Sequence, residues 1–229
     1  MYSRQVENQV LEFGVSGKLM RNVLVMYDRQ TDSLWPQLLG RAVEGPLAGT
    51  ELAFIASRLT TWADWKERYP ETLALVKDYS GDFDPYDRYY DSGRAGVIGQ
   101  AVVDDRLETK EFVLGVVHQG QAKAYPFRQL SEMPVVNDQF NDLPLLVVFD
   151  EASASGAVFE RRVGDQVLEF SRVSDLELID EQTGSRWDGL RGLAVGGPLQ
   201  GEWLPVVQHT AAFWFGWKDI YPSTALYGE

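Results

Sequence analysis

The sequence predicts a mainly β protein, a β-rich α+β fold of two related antiparallel β modules that each carry a short Trp-rich helix. Residues 28–72 recur as residues 180–224 at a constant offset of 152, and about twenty of the forty-five aligned positions are identical. Self-similarity of this kind indicates one supersecondary unit used twice. Short alternating apolar runs lie between turn residues, which is typical of antiparallel strands. A Trp-rich stretch near the end of each copy has the helical period.

Eight recurrent residues are assigned a structural role in the repeat. They are Asp28, Trp35, Trp62 and Trp65 in the first copy, and Asp180, Trp187, Trp214 and Trp217 in the second. We interpret the tryptophans as core packing of a helix on a sheet, with a ligand-stacking face as the alternative. We interpret the aspartates as turn residues that hydrogen-bond to backbone, with catalytic carboxylates as the alternative. Their spacing does not place two carboxylates within the roughly 5 to 10 Å that acid/base work requires.

The chain opens with a predicted strand, turn and strand in residues 1–13, with the turn at Glu7-Asn8. The pattern recurs in residues 159–170, where Gly164-Asp165 takes the turn and favours a hairpin. An unpaired strand edge near Met1 tends to pair with another chain, so this segment predicts self-association.

Three further strands are predicted in the first copy. Val23–Tyr27 is a short apolar strand, and Trp35–Val43 is a second one that Pro36 places at a sheet edge. Leu52–Ala56 is the third candidate.

The first Trp-rich helix is predicted from Trp62 to about Tyr69. Thr60 or Thr61 caps its N-terminus, and Pro70 ends it. Its aromatic residues share one face of the helix.

The second half adds strands ahead of its copy of the repeat. Phe112 opens a hairpin whose turn lies near His118–Gly120, and Arg128–Met133 predicts one helical turn. Two apolar strands follow on either side of Asn141-Asp142, and the shared part resumes at Val158.

These patterns predict three regions: the C-terminal part of a first module in residues 1–75, an acidic connector rich in Tyr and Asp in residues 76–109, and a second module in residues 110–229. About fifty residues precede the shared part of the second copy, and the first copy has no counterpart to them. The first module is therefore expected to be incomplete. Either it is abridged or the chain is the C-terminal part of a longer protein, and the position of Met1 at a strand edge favours the latter.

Composition and charge narrow the function classes. The chain of 229 residues is 45% hydrophobic, which is enough for a core, and its net charge is −13. This charge argues against nucleic-acid partners and against an anionic membrane surface. Solubility is the simple explanation for the charge, and an acidic surface suited to high salt is the alternative.

The absence of cysteine excludes disulfides, thiolate metal sites and cysteine nucleophiles. The first residues lack the apolar core of a signal peptide, and no apolar run reaches the length of a membrane span.

The connector contains one metal candidate, a calcium site formed by Asp82, Asp84, Asp87 and Asp91. Calcium takes roughly six to eight oxygen ligands from loops of this kind. The spacing differs from that of an EF-hand, and an ordinary solvated acidic loop is the alternative. No other cofactor is indicated.

Catalytic patterns are weak. His118 and His209 are the only histidines, and they belong to no H-x-x-H or HExxH pattern. The serine at Ser16 does not lie in a G-x-S-x-G motif, and the sequence has neither a P-loop nor G-x-G-x-x-G. No catalytic residue is therefore assigned, and the pattern favours a protein that is not an enzyme.

Three strings resemble the domain-of-unknown-function family 3179. They are LEFGVSGKLMRNVLVMYDRQTDSLWPQLLGRAVEGPLAGTEL (11–52), TTWADWKERYPETL (60–73), and VLGVVHQGQAKAYPFRQL with the later VVND (113–138). The resemblance covers nearly the whole chain. It implies no established activity, and it implies export of the full-length protein.

The resemblance also implies a His-Glu pair before VVND and a Cys-Pro-Leu-Cys stretch after a strand, which together suit a metal or redox site. Met133 and Pro134 stand in place of the His-Glu pair, and Asp150 and Ser153 in place of the cysteines. If the family site binds a metal, the second module is a degenerate copy of it.

Two functions are consistent with these features. The first is a non-enzymatic binding or structural module with no active site in this chain. The second is a fragment of an exported metal-binding or redox protein whose His/Cys site lies in an N-terminal half outside this sequence. The sequence identifies no partner.

Overall fold

The first copy folds into a hairpin, a three-stranded sheet and a helix. The computed structural model describes residues 1–75 and 87–229. The first elements are β1 (Gln5–Val6), β2 (Gln9–Val10), β3 (Phe13–Met20), β4 (Val23–Asp28), β5 (Leu34–Pro36) and α1 (Trp62–Arg68). The sheet order is β3-β4-β5, with antiparallel neighbours. The predicted hairpin turn at Glu7-Asn8 is confirmed, because β1 and β2 pair across it.

The middle of the chain supplies most of the buried strands. Its elements are α2 (Asp87–Asp91), β6 (Phe112–His118), β7 (Gln121–Pro126), α3 (Phe127–Glu132), β8 (Val135–Phe140), β9 (Leu143–Asp150) and β10 (Ser155–Glu160). The predicted hairpin, helical turn and pair of apolar strands are confirmed. Strands β8, β9 and β10 form one antiparallel sheet, and β9 is its central strand.

The second copy forms a sheet of its own and adds one strand to each edge of the β6–β7 hairpin. Its elements are β11 (Arg162–Val163), β12 (Gln166–Val167), β13 (Phe170–Ser174), β14 (Glu177–Asp180), β15 (Arg186–Asp188), β16 (Leu193–Gly196), β17 (His209–Phe213), α4 (Trp214–Ile220) and β18 (Ala225–Leu226). One sheet has the order β13-β14-β15-β16 and another the order β17-β6-β7-β18. In the latter, β17 runs antiparallel to β6 and β18 runs parallel to β7.

The two copies bury corresponding side chains in separate clusters. The first cluster contains Leu11, Trp35, Ala42 and Leu52. The residues at the corresponding positions, Leu168, Trp187, Ala194 and Leu204, belong to a larger cluster that also takes side chains from β9 and β10. In each copy a phenylalanine ring meets the tryptophan edge-on, with centroids 5.6 Å apart in the first copy and 5.5 Å apart in the second.

The predicted strand Trp35–Val43 is wrong, because β5 ends at Pro36. The N–H groups of Leu39 and Gly40 donate to the Pro36 carbonyl at 3.1 and 3.2 Å, so the chain turns back there. Gly40 has φ of +60°, a conformation that glycine adopts without a Cβ clash.

The strand candidate Leu52–Ala56 is also corrected, since this segment forms only an isolated bridge between Tyr2 and Phe54. Ser3 N–H donates to the Ala53 carbonyl at 2.8 Å, and Ile55 N–H donates to the Met1 carbonyl at 2.9 Å. The backbone near Met1 is therefore hydrogen-bonded along one side to residues 53–55 of the same chain. Self-association through its other side stays a prediction.

The predicted mainly β class is confirmed, because 41% of residues lie in strands and 11% in helices. The helices of the described ranges are all short, and none of them is long and apolar enough to cross a membrane.

Candidate functional site

The repeated Asp-x-x-Thr-x-Ser-x-Trp pattern forms a buried hydrogen-bond network. Asp28 is fully buried; its Oδ1 accepts from the Thr31 N–H at 2.6 Å and its Oδ2 from the Trp35 indole Nε1–H at 2.9 Å. Burial opposes ionisation of the Asp28 carboxyl. The hydrogen bonds donated by the Trp35 indole and by Thr31 outweigh that effect and hold the pKa of Asp28 below its ordinary value.

The second copy has the same network at the same distances. Asp180 accepts from the Thr183 N–H at 2.6 Å and from the Trp187 indole at 2.9 Å. The side-chain hydrogen bonds found for each aspartate stay within its own copy, so the structure does not join Asp28 and Asp180 in one acid/base pair. The geometry suits a turn that is fastened to a core tryptophan.

The helix of the first copy is held by local bonds. The Thr61 hydroxyl accepts from the Asp64 N–H at 3.2 Å and caps α1. The Trp65 indole N–H donates to the Thr72 hydroxyl at 2.9 Å, and the Trp65 and Tyr69 rings lie 4.4 Å apart. These contacts fix the orientation of both rings.

Helix α4 repeats the indole and ring contacts of α1 but has no side-chain N-cap, and it lies under other parts of the chain. The Trp217 indole N–H donates to the Thr224 hydroxyl at 3.0 Å, and the Trp217 ring lies 4.4 Å from that of Tyr221. The Trp214 indole N–H donates to the Asp104 carbonyl at 3.1 Å. Strand β6 closes over Trp217, and this helix is therefore part of the core.

The two helices differ sharply in exposure. Trp62 and Trp65 are 55% and 39% exposed, whereas Trp214 and Trp217 are each 1% exposed. The predicted packing of Trp62 and Trp65 into a core is therefore wrong for the first copy. The reason is that residues 104–126, which cover α4, have no counterpart in residues 1–75. We call the surface formed by Trp62, Trp65 and Tyr69 the aromatic face.

A groove of about 320 Å³ lies beside the aromatic face. Trp65 and Tyr69 line one side, and Phe159 of the second half lines another. Arg58 of the first copy contacts the second copy, because its Nη2 donates to the Leu190 carbonyl at 2.5 Å. The groove thus combines aromatic walls with a guanidinium group.

His209 also lines this groove. Its Nδ1 lies 2.7 Å from the Val207 carbonyl oxygen, and burial lowers the pKa of His209. The imidazole is therefore neutral at neutral pH.

The other histidine, His118, lies at the end of β6, and its Nε2 is 2.8 Å from Asp142 Oδ1. The strand register places His209 opposite Val116, two residues from His118, so the histidines are closer than their sequence separation indicated. A base that activates a nucleophile is hydrogen-bonded to the group that it activates. In the described ranges, neither imidazole is hydrogen-bonded to a hydroxyl group.

One polar cluster was not predicted from the sequence. Lys123 Nζ lies 2.5 Å from Asp138 Oδ2, and the Tyr125 hydroxyl donates to the same oxygen at 2.7 Å. Burial raises the pKa of Tyr125. The sequence does contain a signal for this cluster, which is the alternation of side chains that places Lys123 and Tyr125 on one face of β7. The cluster ties β7 to β8 and faces the core.

The calcium candidates are only partly described. Asp82 and Asp84 lie outside the described residues, as does the side chain of Asp87, while Asp91 is exposed at the end of α2. Within residues 1–75 and 87–229, no group of three or more His, Cys, Asp or Glu side chains is arranged to hold a metal ion.

Comparison with known proteins adds one match. No curated protein and no solved structure matches this chain. The model of one family, described as "Protein of unknown function (DUF3179)", matches residues 1–224, almost the full length. The resemblance carried by the three strings is thereby confirmed, and the chain belongs to the DUF3179 family.

Proposed function

We propose that this chain is a non-enzymatic binding module whose aromatic face receives an apolar surface of a polypeptide partner. One observation carries the proposal. The same helical motif, with the same indole-to-threonine bond, is buried in the second copy and exposed in the first. An exposed surface that is already ordered and apolar is typical of interaction sites.

The residues of the aromatic face are of the types that dominate protein interfaces. Tryptophan and tyrosine bury large areas with few rotatable bonds, and they recur at the centres of binding surfaces. Trp65 is held in place by Thr72 and Tyr69, so little side-chain entropy is lost when a partner binds. Leu73 and Leu75, which are 94% and 85% exposed, extend the apolar surface beyond the helix.

The polar groups support a non-enzymatic role. Asp28 and Asp180 are engaged in separate turns, and the two histidines bond to a carbonyl and to an exposed carboxylate. An active site requires a nucleophile or a general acid and base that converge on a substrate position.

A peptide-display selection tests the proposal. The bait is the 229-residue protein, and the comparison baits are the W62S/W65S double variant and the W203S variant. Trp203 is 55% exposed like Trp62 and lies outside the aromatic face, so it is a matched control. We expect apolar peptides that bind the wild type and W203S but not W62S/W65S. Selection of no such peptide contradicts the proposal.

A metal-binding or redox role is the alternative, and one observation favours it. Ser153 Oγ donates to Asp150 Oδ2 at 2.5 Å, at the two positions where the family pattern has cysteines. The turn between β9 and β10 therefore brings these side chains together. If the second module is a degenerate copy of such a site, the M133H/P134E/D150C/S153C variant, which restores all four positions, should bind one Zn²⁺. A variant that binds no Zn²⁺ argues against a degenerate metal site in this module.

A further inference from the structure

We infer that residues 96–102 act as a clasp that holds the two proposed modules, residues 1–75 and 110–229, in one orientation, and that release of the clasp lets the modules move as separate folded bodies. The clasp is anchored on Asn22 of the first module and on Asp219 of the second. This inference does not depend on the proposed binding function. Every contact that carries it lies within residues 1–75 and 87–229.

The first anchor is the carboxamide of Asn22, in the turn between β3 and β4. Its Oδ1 accepts from the N–H groups of Val97 and Ile98 at 2.9 and 3.0 Å, and its Nδ2 donates to the Gly99 carbonyl at 2.6 Å. Gly96 lies directly against this side chain, since an added Cβ would be 2.3 Å from it. One side chain therefore binds three backbone groups of a segment that begins 75 residues further along the chain.

The second anchor is the carboxylate of Asp219 in α4, which is fully buried. Its Oδ1 accepts from the N–H groups of Ala101 and Val102, both at 2.8 Å. The corresponding residue of α1 is Glu67, which is exposed, so the repeated helix does not itself require a buried carboxylate at this position. The burial of Asp219 is therefore explained by the segment that it holds.

The clasp supplies most of the hydrogen bonds that join the modules. It contributes five, whereas among the described residues three run directly between 1–75 and 110–229. Those three join Arg21 to the Asp219 carbonyl, Arg58 to the Leu190 carbonyl, and Gln208 to the Tyr2 hydroxyl. The buried residues of each core cluster come from a single module. Bodies with separate cores and a polar interface move relative to one another unless they are fastened.

The closed clasp also contains one unfavourable group. Asp219 Oδ2 is buried, and no described group is hydrogen-bonded to it. A buried carboxylate oxygen without a partner is costly, and water would satisfy it once residues 101–102 move away. The anchors therefore hold the clasp closed against a group that gains from opening. Because both modules line the groove beside the aromatic face, opening would reshape that groove.

Spin labels test whether the modules separate. The chain contains no cysteine, so an A48C/Q200C background places one label on each module, at exposed and corresponding positions of the repeat. The test variants are N22G and G96A. Glycine adopts the φ of +63° at residue 22 and removes only the carboxamide, whereas the methyl group of G96A displaces the clasp from Asn22.

Two controls make the same substitutions elsewhere. Asn141 is exposed in a turn with φ of +56°, so N141G matches N22G. Gly99 has φ of +78° and open space beside it, so G99A matches G96A. We expect one narrow distance distribution in the labelled background and in both controls, and a second, longer distance in N22G and G96A. Amide exchange in residues 97–102 should be at least about tenfold faster in the two test variants.

Near-UV circular dichroism shows whether the modules stay folded. The inference requires that N22G keeps the wild-type spectrum while its distance distribution changes. An unchanged distribution in N22G and G96A would show that the modules are fixed without the clasp and would overturn the inference, and so would equal changes in the two controls. Loss of the spectrum in N22G would make Asn22 a determinant of folding and would overturn it too. The binding proposal is tested separately, because it rests on Trp62 and Trp65.

Discussion

At the scale of single residues, Asp28 shows what a local pattern predicts and what it omits. The Asp-x-x-Thr spacing indicates a turn in which the carboxylate accepts from backbone, and the Thr31 N–H lies 2.6 Å away. The bond from the Trp35 indole was not predictable from that spacing. It depends on the pairing of β4 with β5, which places Trp35 opposite Met26 and beside the turn.

We expect the D28N variant to lose about 3 kcal/mol of unfolding free energy, because a buried carboxylate that accepts from several donors would be replaced by an amide that presents a donor to them. Urea unfolding followed by near-UV circular dichroism measures the loss. D32N is the matched control, since Asp32 is exposed in the same turn with φ of +58°, which asparagine tolerates.

The stabilisation that the Asp28 carboxylate provides should also depend on pH, in a direction that its pKa shift defines. The folded pKa of Asp28 lies below its unfolded value, so the stabilisation is fully present above the unfolded pKa and is lost as the pH falls through the folded pKa. The stability difference between wild type and D28N should therefore shrink on acidification. A difference that grows at acid pH would contradict this assignment.

At the scale of elements, α1 and α4 show which helix properties depend on the local sequence and which depend on tertiary contacts. Both helices were predicted from the Trp spacing, and both form with the same indole-to-threonine bond. Their burial was not predictable from that spacing, since the residues that cover α4 come from the distant segment 104–126. A side-chain pattern specifies the face that a helix presents, but not what lies against it.

The same comparison predicts unequal effects of one substitution. W217A should cost about 4 kcal/mol, because a fully buried indole leaves a cavity against Gly115. W65A should change stability by less than about 1 kcal/mol, because its ring is already partly in solvent. Thermal or urea unfolding compares the two with W203A as an exposed control. Equal losses for W65A and W217A would show that Trp65 is covered in solution.

At the scale of the whole molecule, the mainly β class followed from the alternation of short apolar runs and turns. The division into modules 1–75 and 110–229 remains a proposal. It draws support from the separate clusters around Trp35 and Trp187. Contacts between the copies, such as the Arg58 bond to the Leu190 carbonyl, could not be predicted because they join residues far apart in sequence.

Self-association is the last expectation, and it belongs to the whole molecule. Residues 1–3 pair with 53–55 through the Met1 carbonyl and the Ser3 N–H, which leaves the other side of this strand without a neighbour in its hydrogen-bonding direction among the described residues. An edge of this kind adds strands of other chains. We therefore expect dimers in size-exclusion chromatography with light scattering, with amide protection at residues 1–4 that rises with concentration. Because this edge is separate from the aromatic face, W62S/W65S should dimerise like the wild type. A clean monomer at all concentrations would contradict the prediction.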